Sequence, residues 1–270
     1  MNHATVGRRT FEVAGRFAEL KPRQLVAIVG LLHAQLPVLE LRLRLTLVLL
    51  DVRRRPWLFW QLRRMSAESR HELTALAAFC LREPRLTKQL LPVLRVPGTL
   101  TRLHGPADAF SNLTFAEFIQ AEGYFAAYQR ERDVRHLDQL VATLYRPAGG
   151  RNPDDRRQPF APCEVAGRLR AVARLPLATR LTVQLWYGSC RTAWVRKYEG
   201  TIFTVPDQQQ PAAAKAPDPR ETWRDILAER AGSPVQYDEY GRQVLPNVFF
   251  DLDLRIRRRL AEQEAIRNAR

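Results

Sequence analysis

The sequence predicts an all-α protein, a multi-helix bundle of amphipathic helices with no sizeable sheet. Apolar residues recur at three- and four-residue steps along most of the chain. Several of these runs open on recognisable helix-start residues. The alternating stretch Leu41 to Leu45, which could read as a strand, lies inside a longer run with helical steps. The 270 residues are 46% hydrophobic and 26% charged, which excludes a disordered or fibrous chain and is enough to bury a core without staples.

The first helix opens at Pro22, where a missing N–H costs nothing, and carries Leu25, Ile28, Val29, Leu32 and Leu36 before Pro37 ends it. The next, Val38 to Val52, presents Leu39, Leu43, Leu47 and Leu50, and its length favours helix over strand. Ser66 is the N-cap of another, with Glu68 in its first turn and Leu73, Leu76, Ala77 and Phe79 following. A short helix is expected near Leu86 to Leu91, then a loop through Pro97, Gly98, Gly105 and Pro106.

Thr114 and Glu117 have the spacing of a reciprocal cap, and Phe115, Phe118, Ile119 and Phe125 form the apolar stripe behind it. That stripe is expected to face the following helix, Asp133 to Tyr145, with Leu137, Leu140, Val141 and Leu144 inward. Residues 146–155 are polar and turn-rich. Helices follow over Val165 to Leu175 and Leu177 to Val195, parted at Pro176. Residues 206–217 (PDQQQPAAAKAP) have too little apolar content to repay ordering. Asp218, Pro219 and Glu221 open a further helix with Trp223, Ile226 and Leu227 buried, and a last one runs from about Asn247 through Phe249, Leu252, Ile256 and Leu260. The expected organisation is an N-terminal helical domain (1–146), a helical extension packing on it (147–200), a flexible linker (201–217) and a C-terminal helical segment (218–270).

Motifs of chemistry are scarce. The five histidines include no close pair, and His71 lacks a second histidine four positions on. No glycine-rich phosphate cradle occurs, and Ser189 lacks the glycine two residues later that a nucleophile elbow requires. Cys80, Cys163 and Cys190 are odd in number and widely spaced, which predicts reduced, buried thiols. The carboxylate pairs Asp154–Asp155 and Asp251/Asp253 lie in a turn and beside balancing arginines. Neither a catalytic residue nor a cofactor or metal site is therefore expected. Residues 1–17 hold no apolar leader and the run Leu36 to Leu50 is broken by Glu40, Arg42 and Arg44, so a cytoplasmic protein without a membrane partner is expected.

The net charge is +15, and only four of the 43 basic residues are lysine. Two clusters are candidate contacts for nucleic acid or an acidic partner. Arg53, Arg54 and Arg55 precede Trp57 and Trp60, and Arg63 and Arg64 follow, so cations interleave with aromatics. Alternatively, Trp57, Leu58 and Trp60 are core or loop anchors among solvated arginines. Arg255, Arg257, Arg258 and Arg259 form the second cluster, which is also compatible with a solvated helix face or with cations near a helix end.

Several segments, taken in order, resemble a family of tailed-phage and prophage morphogenesis proteins of Bacteroidota. They are residues 17–24 (FAELKPRQ), 103–118 (LHGPADAFSNLTFAEF), 121–125 (AEGYF), 140–147 (LVATLYRP), 223–231 (WRDILAERA) and 248–252 (VFFDL). Thr222 stands where that pattern has glycine, and the surface here is richer in arginine. The matching positions are packing and capping residues. The resemblance implies a non-enzymatic assembly protein, similar to tail-assembly proteins or tail-assembly chaperones, with phage structural proteins as partners. The alternative is a basic nucleic-acid-binding accessory protein of a mobile element.

Overall fold

The computed structural model describes residues 2–6, 9–152, 155–203 and 218–269. Among them the elements run β1 (Asn2–Val6), β2 (Arg9–Val13), α1 (Pro22–His33), α2 (Val38–Leu49), α3 (Pro56–Arg64), α4 (Ala67–Thr74), β3 (Val93–Arg95), β4 (Arg102–His104), α5 (Phe115–Glu131) and α6 (Val134–Leu144). There follow β5 (Ala148–Asn152), β6 (Asp155–Arg157), α7 (Val165–Ala173), α8 (Leu177–Lys197), α9 (Pro219–Ala231), α10 (Tyr237–Gly241) and α11 (Leu245–Asn268). The protein is all-α in class. The described strands pair only two by two, as β1–β2, β3–β4 and β5–β6, all antiparallel. Most of the expected linker, residues 204–217, lies outside the described residues, as does Asp154.

The chain forms two compact units, Met1–Leu91 with Pro176–Ser189, and Pro92–Leu175 with Cys190–Arg270. Helix α8 starts in the first and ends in the second.

In the first unit, Leu25, Ile28 and Val29 of α1 are buried, and Gln24 donates from Nε2 to the carbonyls of Val48 and Leu49 at 3.1 Å each, tying α1 to the end of α2. Ser66 caps α4 by accepting from the Ser69 N–H, as its side chain and position predict. The β1–β2 hairpin was not foreseen. Its inward residues, Ala4, Val6 and Val13, are buried, and Phe11 lies against Trp57 with ring centroids 6.0 Å apart. The helix expected over 86–91 is absent. Between Pro84 and Pro92 the chain is extended or bent, with Leu86 fully buried, and its carbonyls serve α8: Trp186 Nε1 donates to Thr87 and Ser189 Oγ to Pro84.

In the second unit the capping box at α5 forms as its spacing predicts. Glu117 N–H donates to Thr114 Oγ1 at 3.3 Å, and Thr114 N–H to Glu117 Oε2 at 3.1 Å. Glu117 is nonetheless more than a cap. It has no exposed surface, and its Oε1 accepts from both Arg146 and Arg157, the latter at 2.8 Å. Arg157 also grips Asp155 with both Nε and Nη2 at 2.8 Å and donates to the carbonyls of Leu144 and Asn112. Two cations and two carboxylates thus balance inside the unit.

This network explains why 146–155 is not a boundary. Strands β5 and β6, its described part with Arg157, pair antiparallel and are delivered next to β4 by reciprocal backbone bonds between His104 and Arg146 at 2.7 and 3.0 Å. The units part instead at Leu91 and within α8, so the expected domain limits at 146 and 200 do not coincide with them.

Helices α5 and α6 pack as a short-loop hairpin, but the α5 aromatics face elsewhere than expected. Phe115 and Phe118 meet Trp223 of α9 at 6.1 and 5.2 Å, Phe115 meets Tyr240 of α10, and Phe118 meets Phe249 of α11. Trp223 and Phe249 stack at 5.5 Å and 19°. The polypeptide start of α5 is stitched to that of α11, with Leu245 N–H donating to the Leu113 carbonyl and Phe115 N–H to that of Gln243. Gly123 allows the close approach of α9, since a Cβ there would lie 2.4 Å from Arg220 Nε. The C-terminal segment is thus part of the second unit's core.

Urea unfolding of three α5 variants tests this assignment of roles. Thr114→Ala removes half a cap and should cost about 0.5–2 kcal/mol. Glu117→Ala leaves two buried cations without their shared carboxylate and should cost about 3–5 kcal/mol. Phe118→Ala opens a cavity and should also cost about 3–5 kcal/mol. A Glu117→Ala cost no larger than that of Thr114→Ala would mean the buried pair is not structural.

The thiols give a second check. Cys80 and Cys190 are buried as expected, whereas Cys163 is exposed. Burial pushes the Cys80 thiol up to about 12 and raises that of Cys190 as well. Because the thiolate is the reactive form, titration of the folded protein with a chromogenic disulfide at pH 8 should show one fast thiol, lost in Cys163→Ser, and all three only after denaturation.

Candidate interaction surface

Helix α3 is where the sequence-predicted aromatic and basic residues gather. Pro56 opens it, and Leu58 and Leu62, four apart, point inward and are buried. That orientation turns Phe59, Trp60, Arg63 and Arg64 to the surface. Trp60 is 63% exposed and Phe59 is 42% exposed. Trp57 is half-buried against Phe11, so of the two tryptophans one anchors the helix and the other does not. Arg53 and Arg54 are exposed in the 3-10 turn before α3, and Arg55 lies over the Phe11 ring at 5.0 Å.

Beside α3, helix α2 carries more apolar residues than its buried side accommodates. Leu45, Leu49 and Leu50 are in the core, while Val38, Leu39 and Leu43 are exposed. Leu43 and Leu47 of α2, Phe59 and Leu62 of α3 and Leu73 of α4 enclose an apolar recess, rimmed by Arg63 and Arg70. Arg63 also lies over the Phe59 ring at 5.5 Å. Sequence reasoning found the arginines and tryptophans, and read Leu39 and Leu43 only as part of a helical period without marking them as surface residues. The available signal was an α2 apolar on several faces, which a helix packed on one side does not need.

Three other cations of the first unit form ion pairs: Arg23 with Asp51, Arg44 with Glu40 and Arg16 with Glu19. Arg53, Arg54, Arg63, Arg64 and Arg70 have no carboxylate partner among the described residues. Glu19 is held down at about 2 by the Gly15 N–H and the Arg16 side chain.

The second basic cluster, in the other unit, behaves differently. Arg255 and Arg257 bridge Asp251 and Asp253 one turn back at 3.0 Å, so the Asp251/Asp253 pair serves helix ion pairs. Arg258 and Arg259 are exposed on α11, whose residues after Ile256 are all solvent-facing as far as described. The two clusters belong to different units.

Among the described residues no group of three or more His, Cys, Asp or Glu is placed to hold a metal ion, and no helix is long and apolar enough to cross a membrane. Comparison with protein-family models, with curated proteins and with solved structures found no match.

The inward and outward faces of α3 are separable by stability. Leu58→Ala should cost about 2–5 kcal/mol, while Trp60→Ser should change unfolding free energy by no more than about 0.5 kcal/mol. A large loss from Trp60→Ser would place that ring in the core.

Proposed function

We propose that this chain is a non-enzymatic interaction protein that works by docking a partner protein on the α2–α3–α4 face. The observation that carries the reading is an apolar recess at the surface lined by the exposed Leu43 and Phe59, on two helices that also expose Val38, Leu39 and Trp60. A soluble domain gains nothing in its own stability from such a patch, and contiguous exposed apolar surface is characteristic of a binding site. The resemblance to tailed-phage morphogenesis proteins supplies the setting: assembly of phage tails in the bacterial cytoplasm, with tail structural or assembly proteins as partners. A tagged chain in a phage-producing host should co-purify a tail component, and Leu43→Glu with Phe59→Glu should release it. Recovery of no tail component, or normal tails from a deletion strain, would overturn that setting.

A second reading, a basic nucleic-acid-binding accessory protein, is favoured by the exposed Trp60 ring among Arg53, Arg54, Arg63 and Arg64. It expects binding to duplex DNA whose log affinity falls with log salt by about 0.9 per neutralised phosphate.

A further inference from the structure

We infer that the occupant of the α2–α3–α4 recess is an amphipathic helix of a partner protein, with carboxylates flanking its apolar stripe. The inference rests on the docking reading above and adds the chemistry of the partner. The recess is walled by helices whose backbone groups are already bonded internally, so it offers side-chain packing and no strand edge to extend. Apolar anchors at three- and four-residue steps on a partner helix are the recognition mode that such a groove takes. Its walls are mainly the aliphatic chains of Leu43, Leu47, Leu62 and Leu73, which suit branched apolar side chains better than the flat face of a nucleobase.

Charge selects the partner's flanks. Arg63 and Arg70 line the recess, Arg64 follows on α3, and Arg53 and Arg54 precede it, all without carboxylate partners among the described residues. The first unit as a whole carries 17 Lys and Arg against 7 Asp and Glu. Carboxylates on an incoming helix would meet these guanidinium groups and form charge-assisted bonds at the rim of the apolar contact. The same charge disfavours a second copy's α11, whose exposed segment bears Arg255, Arg257, Arg258 and Arg259.

The test uses the full chain and three dye-labelled probes followed by fluorescence anisotropy. One is a peptide of about 20 residues, long enough to be helical in isolation, with a leucine stripe and glutamate on both flanks. The second has lysine in place of every glutamate, and the third is an oligothymidine of about 20 nucleotides. The glutamate peptide should bind at least about tenfold more tightly than the lysine peptide, weakening with added salt. Leu43→Asp should abolish its binding, and Arg63→Glu with Arg70→Glu should reverse the preference; all three positions are exposed, so circular dichroism should be unchanged. Equal binding of the two peptides, both lost in Leu43→Asp, would overturn the acidic partner and leave the docking face standing. Tighter binding of oligothymidine, or peptide binding indifferent to Leu43→Asp, or no peptide binding at all, would overturn the inference.

Discussion

Glu117 lies with no exposed surface between two guanidinium groups and the backbone start of its own helix. A lone buried carboxylate would be costly, and so would either arginine. Each is tolerated because the others are there. The four charged groups come from three places in the chain: Glu117 from the first turn of α5, Arg146 from the end of α6, and Asp155 with Arg157 from the β5–β6 hairpin. Arg157 further ties in the carbonyls of Asn112 and Leu144, one before α5 and one closing α6. Removing any partner leaves a charge that the surrounding apolar residues cannot solvate, so the helix start, the helix end and the hairpin are held to one arrangement.

With the start of α5 fixed, its next turn determines where the end of the chain goes. Phe115 and Phe118 project away from the charged cluster and present edges to Trp223, Tyr240 and Phe249. The backbone bonds between Leu113 and Leu245 and between Phe115 and Gln243 set α11 against the same helix start. Polar groups therefore occupy one side of this helix start and aromatic rings another, and each side recruits a different part of the sequence. The first part of α11 is built into this core through Val248, Phe249 and Leu252, and ion pairs one turn apart join Asp251 to Arg255 and Asp253 to Arg257 along its middle.

What could be read from sequence follows from the range of the interactions. The caps of α4, α5 and α9 depend on side chains two or three residues from the groups they satisfy, and Ser66, Thr114 and Asp218 were recognisable for that reason. The helix period in α1 was legible because burial there follows one face, through Leu25, Ile28 and Val29. The charged network was not, because nothing in Glu117, Arg146 or Arg157 taken singly distinguishes a buried ion from a solvated one; the pairings span 29 and 40 residues. Residues 146–155 looked like a break since glycine, proline and aspartate mark turns equally well inside a core hairpin and between domains. The β1–β2 hairpin had a faint local signature, Ala4 and Val6 then Phe11 and Val13 in alternation around Gly7, but five-residue strands give little periodicity to weigh. At the candidate surface, the arginines and Trp60 were visible in sequence. The exposure of Leu39 and Leu43 was not, because a helical stripe shows which residues share a face, not which face the core covers.

The arginine-rich composition consequently has no single meaning. Arg146 and Arg157 are nearly inaccessible and work as structural cations, each bonded to a carboxylate whose burial would otherwise be prohibitive. Arg255 and Arg257 are solvated and pair within their own helix, where such bonds contribute only about 0.2–0.5 kcal/mol each. Arg53, Arg54, Arg63, Arg64 and Arg70 do neither. Arg63 and Arg70 lie beside the exposed apolar side chains of Leu43 and Phe59. In one chain, then, the same residue type fixes the core in one unit and leaves an unfilled demand for negative charge in the other. What distinguishes that face, more than the overall excess of positive charge, is that Arg63 and Arg70 line the recess while no carboxylate does.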